Sequence, residues 1–118
     1  DHRLVQLYRW CHATVVPSLD EGFGLPVAES FWHGRPCLCN GEGALGELLV
    51  GGGGWALPVQ NWQQLAAALD HWLHHPEFRW QIRQQLHQRP LRRWRDYAEE
   101  LVQCLLARSC RQLSTPLA

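Results

Sequence analysis

The sequence predicts an α/β fold: the C-terminal part of a doubly wound parallel sheet, with about three strands visible and helices closing the chain. Segments of helical period alternate with short apolar segments of strand length, set between turns marked by glycine and proline. The stretch richest in carboxylates and glycines follows the first strand directly, at the edge where open α/β sheets bind ligands. Such alternation gives parallel strands joined by right-handed crossovers, and a complete sheet of this class has about six strands in the order 3-2-1-4-5-6.

Residues 3–12 place Leu4, Leu7, Tyr8 and Cys11 at helical spacing, so the chain opens on an amphipathic helix. Residues 13–17, Ala-Thr-Val-Val-Pro, form a buried strand ending at Pro17-Ser18. The next helix begins at Pro26, whose missing N–H would be unpaired at the first helical position and whose φ is already helical. It runs to His33, and Gly34 with Pro36 stops it. Residues 36–40, Pro-Cys-Leu-Cys-Asn, form the second strand, with Cys37 and Cys39 packed on one face as small apolar residues. A loop from Gly41 to Leu49 enters a short helix near Gly46-Glu47. The four glycines Gly51 to Gly54 make a tight connection to a third strand around Trp55–Val59. Asn61, with Gln64 three residues on, opens a helix in the manner of a capping box, and Trp62, Leu65, Leu69, Trp72 and Leu73 follow along one face. Pro76 interrupts, a helix spans about Glu77 to His87, and Pro90 breaks the chain again. A last helix carries Trp94, Tyr97, Leu101, Cys104 and Leu105 on one stripe, and residues 114–118 form a loose tail.

The chemistry concentrates in Asp20 to Pro36, which reads DEGFGLPVAESFWHGRP. Gly22 and Gly24 allow the backbone to approach a ligand closely, and the N–H groups and positive dipole end of the following helix favour an anion there. Glu29 falls in that helix's first turn and leans back toward its N-terminus, so its carboxylate reaches the rim of the anion site. Beside a phosphate a carboxylate is repulsive unless it serves hydroxyls, and an ionised Glu can accept from two neighbouring hydroxyls, as on a ribose or hexose. Glu21, eight positions earlier, reaches the other side of the same pocket. These pieces describe a phosphate ester flanked by sugars.

Composition narrows the alternatives. A chain of 118 residues, 46% hydrophobic and 19% charged, is one globular domain and too short for two. A formal net charge of zero gives no global field that would favour nucleic acid. Three Arg stand against seven carboxylates before Glu77, and eight Arg against four carboxylates from Glu77 on, a split of −4 and +4. A basic, helical C-terminal part can touch an acidic membrane peripherally, but arginines mixed with Gln and Glu fit a solvated face better. Five Cys without zinc-site spacing read as reduced thiols in a cytoplasmic setting, and no apolar run is long enough to span a bilayer. His71, His74 and His75 have spacing that could bring two imidazoles to one metal, yet no acidic or Cys ligand is positioned to complete a site, and no metal is expected. Paired carboxylates also suit a glycoside hydrolase, but a helix N-terminus favours the charged form of Glu29 over the protonated acid that hydrolysis needs.

The motif stretch resembles the glutamate–seven residues–glutamate motif of retaining GT-B glycosyltransferases of the group 1, family 4 type, with Glu21 and Glu29 as the two glutamates. The resemblance extends to LVQLYRWCHATVVPS before the motif, to GRPCLCN, GALGELL and GGGGWALPV after it, and to the helix opening at Asn61-Trp62 and the late Trp94. It implies that residues 1–113 are part of the Rossmann-like, donor-binding C-terminal domain of a GT-B fold. The implied reaction moves a hexose from a nucleotide-sugar, such as a UDP- or GDP-sugar, to a glycan, lipid or small-molecule acceptor with retention, using no further cofactor and no obligatory metal. Glu29 would receive the ribose hydroxyls and Glu21 would lie beside the transferred sugar as the catalytic-site carboxylate. The backbone from Gly22 through Phe23, Gly24 and Leu25 would present amides to the sugar and diphosphate. The family's Arg and Lys that neutralise the diphosphate, and its acceptor-binding N-terminal domain, would lie upstream of Asp1. The alternative is a nucleotide-sugar-binding or structural module without turnover. On either reading the 118 residues alone are expected to be catalytically silent, with the strand near Val15-Val16 left without neighbours that a complete sheet would supply.

Overall fold

In the computed structural model, which describes residues 2–113, helices and strands alternate as the sequence predicts. The order is α1 (His2–Trp10), β1 (Thr14–Val16), α2 (Leu25–Trp32), β2 (Cys37–Asn40), α3 (Gly43–Leu49), β3 (Gly54–Leu57), α4 (Trp62–His74), α5 (Pro76–Gln88) and α6 (Trp94–Leu113). The strands form one parallel sheet in the order β1-β2-β3, with Thr14 opposite Cys37 and Cys37 opposite Gly54. The tail expected from Ser114 lies outside the described residues.

The central strand explains the layering. All four residues of β2 are buried, as a strand covered on both faces requires. Side chains alternate across the sheet, so Cys37 and Cys39 join Val16, Val27, Phe31, Leu45 and Leu86 on one face. Leu38 joins Leu57, Trp72 and Ile82 on the other. Both thiols therefore pack as small apolar groups, and a hydrogen bond donated by the Cys39 thiol to Cys37, together with burial, pushes Cys39 well up. Strand β1 pairs with a neighbour on one side only among the described residues, and Val15 is 46% exposed.

The glycine run is the expected tight connection, and its conformation shows why. Gly51, Gly52 and Gly53 take φ of 95°, 82° and 88°, left-handed values that L side chains rarely adopt. A Cβ at Gly52 would stand 2.8 Å from Gln85 Cβ, so α5 packs directly on the loop backbone, and Arg89 Nη1 donates to Gly52 O at 2.7 Å. Burial depresses the Arg89 pKa, and its guanidinium stacks 4.8 Å from the centre of the Phe31 ring.

Several expectations need correction. Helix α3 begins at Gly43 rather than near Gly46-Glu47, and β3 starts inside the glycine run at Gly54. Helix α4 has its Asn61 cap, accepting from Gln64 N–H at 3.0 Å, but Trp62 and Leu73 remain exposed instead of packing with Leu65, Leu69 and Trp72. Thirteen helical residues span roughly 20 Å. The four-residue strands beneath span roughly 13 Å, so α4 is longer than the sheet it packs on. His71 belongs to the packed side of α4: it sits 5.8 Å from Trp55 and 5.3 Å from Phe78, and stacks on His75 at 3.8 Å. Helix α6 carries its apolar stripe, yet Trp94, Tyr97, Leu101 and Leu105 are all exposed, and the molecule extends 68 Å along its longest axis. No helix among the described residues is long and apolar enough to cross a membrane.

Candidate functional site

The loop from β1 to α2 leaves the C-terminal end of the sheet and is tied there by polar side chains. Asn40, the last residue of β2 and only 6% exposed, donates from Nδ2 to Leu19 O at 2.8 Å. Asp20 Oδ1 accepts the Glu21 N–H at 2.9 Å, and the Ser18 hydroxyl donates to Glu21 Oε1 at 2.8 Å. Glu21 is thus held half-buried at the mouth of the loop.

Gly24 turns the loop into the helix. It is the N-cap of α2 at φ 85° and ψ 47°, and its carbonyl takes the N–H groups of Val27 at 3.0 Å and Ala28 at 3.2 Å. A Cβ there would stand 2.7 Å from Leu45 Cδ2 and 2.9 Å from Leu48 Cδ1, so α3 can pack against the junction only because no side chain intervenes. The helix consequently starts at Leu25, with Pro26 in its second position. Glu29 is then the fifth helical residue and lies in the second turn, not in the first as the sequence predicts, and the first turn has no acid. The Val27 amide is also spent on Gly24. Among the described residues the N–H groups of Gly22, Phe23, Gly24 and Leu25 have no acceptor within the protein. They form a run of backbone donors at the positive end of a helix, which suits an anion.

One turn further on, the exposed Glu29 accepts on Oε2 from the Tyr8 hydroxyl of α1 at 3.1 Å. Burial and this carboxylate push the Tyr8 phenol up to about 12, so it remains a donor through neutral pH. Its ring stacks on His33 at 4.6 Å and 17°. Arg35 fixes the end of α1 by donating from Nε to Tyr8 O at 2.6 Å and from Nη2 to Arg9 O at 2.8 Å. Beneath, the buried Ser30 hydroxyl accepts from Thr14 Oγ1 at 2.7 Å and donates to Arg35 O at 2.8 Å, joining α2 to β1.

The predicted residues therefore gather at one loop–helix junction. Glu21 precedes it, Gly22 to Leu25 form it, and Glu29 follows within a turn. Phe23 and Leu25 are 59% and 61% exposed. A cavity of about 500 Å³ opens beside it at the C-terminal ends of β2 and β3, lined by residues including Asn40, Glu42, Asn61 and Gln64, and neither Glu21 nor Glu29 lines it. The sequence reading missed Asn40 and Tyr8. Asn40 left one signal, a polar residue closing an otherwise apolar strand at the ligand-binding edge; Tyr8 read only as part of an apolar helix face. No group of three or more His, Cys, Asp or Glu side chains among the described residues is arranged to hold a metal ion.

A donor-rich glycine loop, a helix N-terminus and two carboxylates at the C-terminal edge of a parallel sheet can hold an anion beside hydroxyls. Comparison with curated proteins and with solved structures returned no match. The family model described as Glycosyl transferases group 1 matches residues 1–89, from α1 through α5 and the whole of the junction. The chain belongs to the group 1 glycosyl transferases.

Proposed function

We propose that this chain forms the nucleotide-sugar side of a glycosyltransferase cleft, in a protein that moves a hexose from a UDP- or GDP-sugar to an acceptor with retention. The observation that carries this is the junction itself: among the described residues the amides from Gly22 to Leu25 have no acceptor within the protein, and they lead into a helix whose second turn presents the Glu29 carboxylate. The diphosphate is received by the amides and the helix dipole. Glu29 accepts from the ribose hydroxyls, and Glu21 contacts the hydroxyls of the transferred sugar. Retention, the hexose and the GT-B arrangement follow the motif pattern of Glu21 and Glu29. The chain has no Lys, and Arg35 is engaged at the end of α1, so the diphosphate is held at this junction by the backbone amides and the helix dipole.

The two glutamates separate on titration. Glu29→Gln is expected to weaken nucleoside diphosphate binding roughly 10- to 150-fold, since a hydrogen bond to a charged group contributes about 1.5–3 kcal/mol. Glu21→Gln is expected to spare the free nucleotide and to impair transfer. Calorimetry on both variants of the full-length protein, with a transfer assay over a panel of donors, checks the assignment. Equal losses of nucleotide affinity would refute it, and binding without turnover across donors and acceptors would favour a binding module.

A further inference from the structure

We propose that Tyr8 is a positioning residue for the bound nucleotide: its hydroxyl occupies Oε2 of Glu29 and so orients the carboxylate to receive ribose hydroxyls on its remaining acceptor sites. This rests on the reading of Glu29 as the ribose anchor.

Glu29 is exposed, and an unrestrained Glu on a helix surface samples several rotamers, all but one of which a ligand would have to suppress. Tyr8 is the opposite case. It is 7% exposed, its ring lies flat against His33 one turn along α2 from Glu29, and its backbone carbonyl is held by Arg35. A buried donor thus meets an exposed acceptor across 21 residues of sequence, at 3.1 Å. A buried phenol that only needed an acceptor could take a carbonyl or a water. This one takes the side chain that the proposed function places on the ligand, and leaves it most of a carboxylate's acceptor capacity. With its proton retained up to about pH 12, Tyr8 holds this arrangement throughout the physiological range.

The test is calorimetric titration of the full-length protein with UDP, GDP and ADP, each beside its 2′,3′-dideoxy form, for wild type, Tyr8→Phe, Glu29→Gln and the double variant. Phe keeps the ring, its burial and its stack on His33, and the exposed carboxylate left behind is solvated by water, so the variant folds. Tyr8→Phe is expected to lose roughly 3- to 30-fold in affinity for whichever ribonucleotide binds, and to leave the dideoxy form within about twofold of wild type. In the Glu29→Gln background the same change is expected to add less than about twofold, because the two residues act through one contact. The ratio of ribo- to dideoxynucleotide affinity is read on one preparation, so a change in stability alone does not move it. Equal losses for both nucleotide forms, or additive losses in the double variant, would overturn the proposal. If Glu29→Gln discriminates ribose and Tyr8→Phe does not, the positioning role alone falls. If Glu29→Gln fails to discriminate, or no nucleotide binds, the ribose reading falls and this inference falls with it.

Discussion

Replacing Gly24 with Ala tests the junction at its narrowest point. The backbone there sits at φ 85°, where a residue with a Cβ is disfavoured by roughly 1–2 kcal/mol. The new methyl would also stand 2.7 Å from Leu45 Cδ2 and 2.9 Å from Leu48 Cδ1. Leu45 is 1% exposed and packed in the core against β2, so it cannot swing aside freely, and such overpacking costs roughly 1–3 kcal/mol. The two effects together come to roughly 2–5 kcal/mol. A domain of 118 residues is stable by roughly 6–18 kcal/mol, so Gly24→Ala should fold with a clearly lowered urea midpoint and an unchanged slope. Gly22 supplies the control. It has no positive φ, and a Cβ added there meets nothing within 4 Å. Gly22→Ala should therefore stay within about 0.5 kcal/mol of wild type, while losing nucleotide affinity if the backbone at that point approaches the ligand. A Gly24→Ala cost below about 0.5 kcal/mol, or an equal cost at Gly22, would refute the account of how the helix start is set.

Two further predictions concern the supports of the site. Ser30→Ala removes the acceptor of the Thr14 hydroxyl and the donor to the Arg35 carbonyl and is expected to cost about 1–3 kcal/mol by denaturation, whereas Thr14→Val leaves the Ser30–Arg35 bond intact and should cost less; the reverse ranking would contradict the network. The Tyr8 phenol is raised from 10.0 to about 12 in the folded protein, so the folded state keeps a proton that the unfolded chain releases, and stability from this group is fully present below pH 10 and lost as pH rises toward 12. The loss is at most about 3 kcal/mol, and alkaline melting curves should show it in wild type and not in Tyr8→Phe.

Much of this was legible in the chain itself. Local signals carry local structure: Pro26 and Pro76 mark helix starts, Asn61 caps α4 through Gln64, and short apolar runs bounded by turn residues mark the three strands. The motif could be read because its parts lie within one loop and one helix. Periodicity, however, reports that a face is apolar and not what covers it. Trp62 and Leu73 share the spacing of Leu65 and Leu69 yet stay exposed, and so does the α6 stripe.

The sequence by itself determined the α/β alternation and the place of Glu21, Gly22 to Leu25 and Glu29 at the end of β1, because each depends on residues within a turn or a strand of one another, whereas the order β1-β2-β3 pairs residues 17 to 23 apart and was decided by the tertiary structure. Only the tertiary structure decided that α2 begins one residue early on a left-handed Gly24, where Leu45 and Leu48 of α3, some twenty residues away, leave no room for a Cβ. The same holds for Tyr8 on Glu29, Asn40 on Leu19 and Arg89 on Gly52, which lie 21 to 37 residues apart. A side-chain contact across that separation leaves no period and no local preference, and it exists only once packing on the sheet has brought the two elements together.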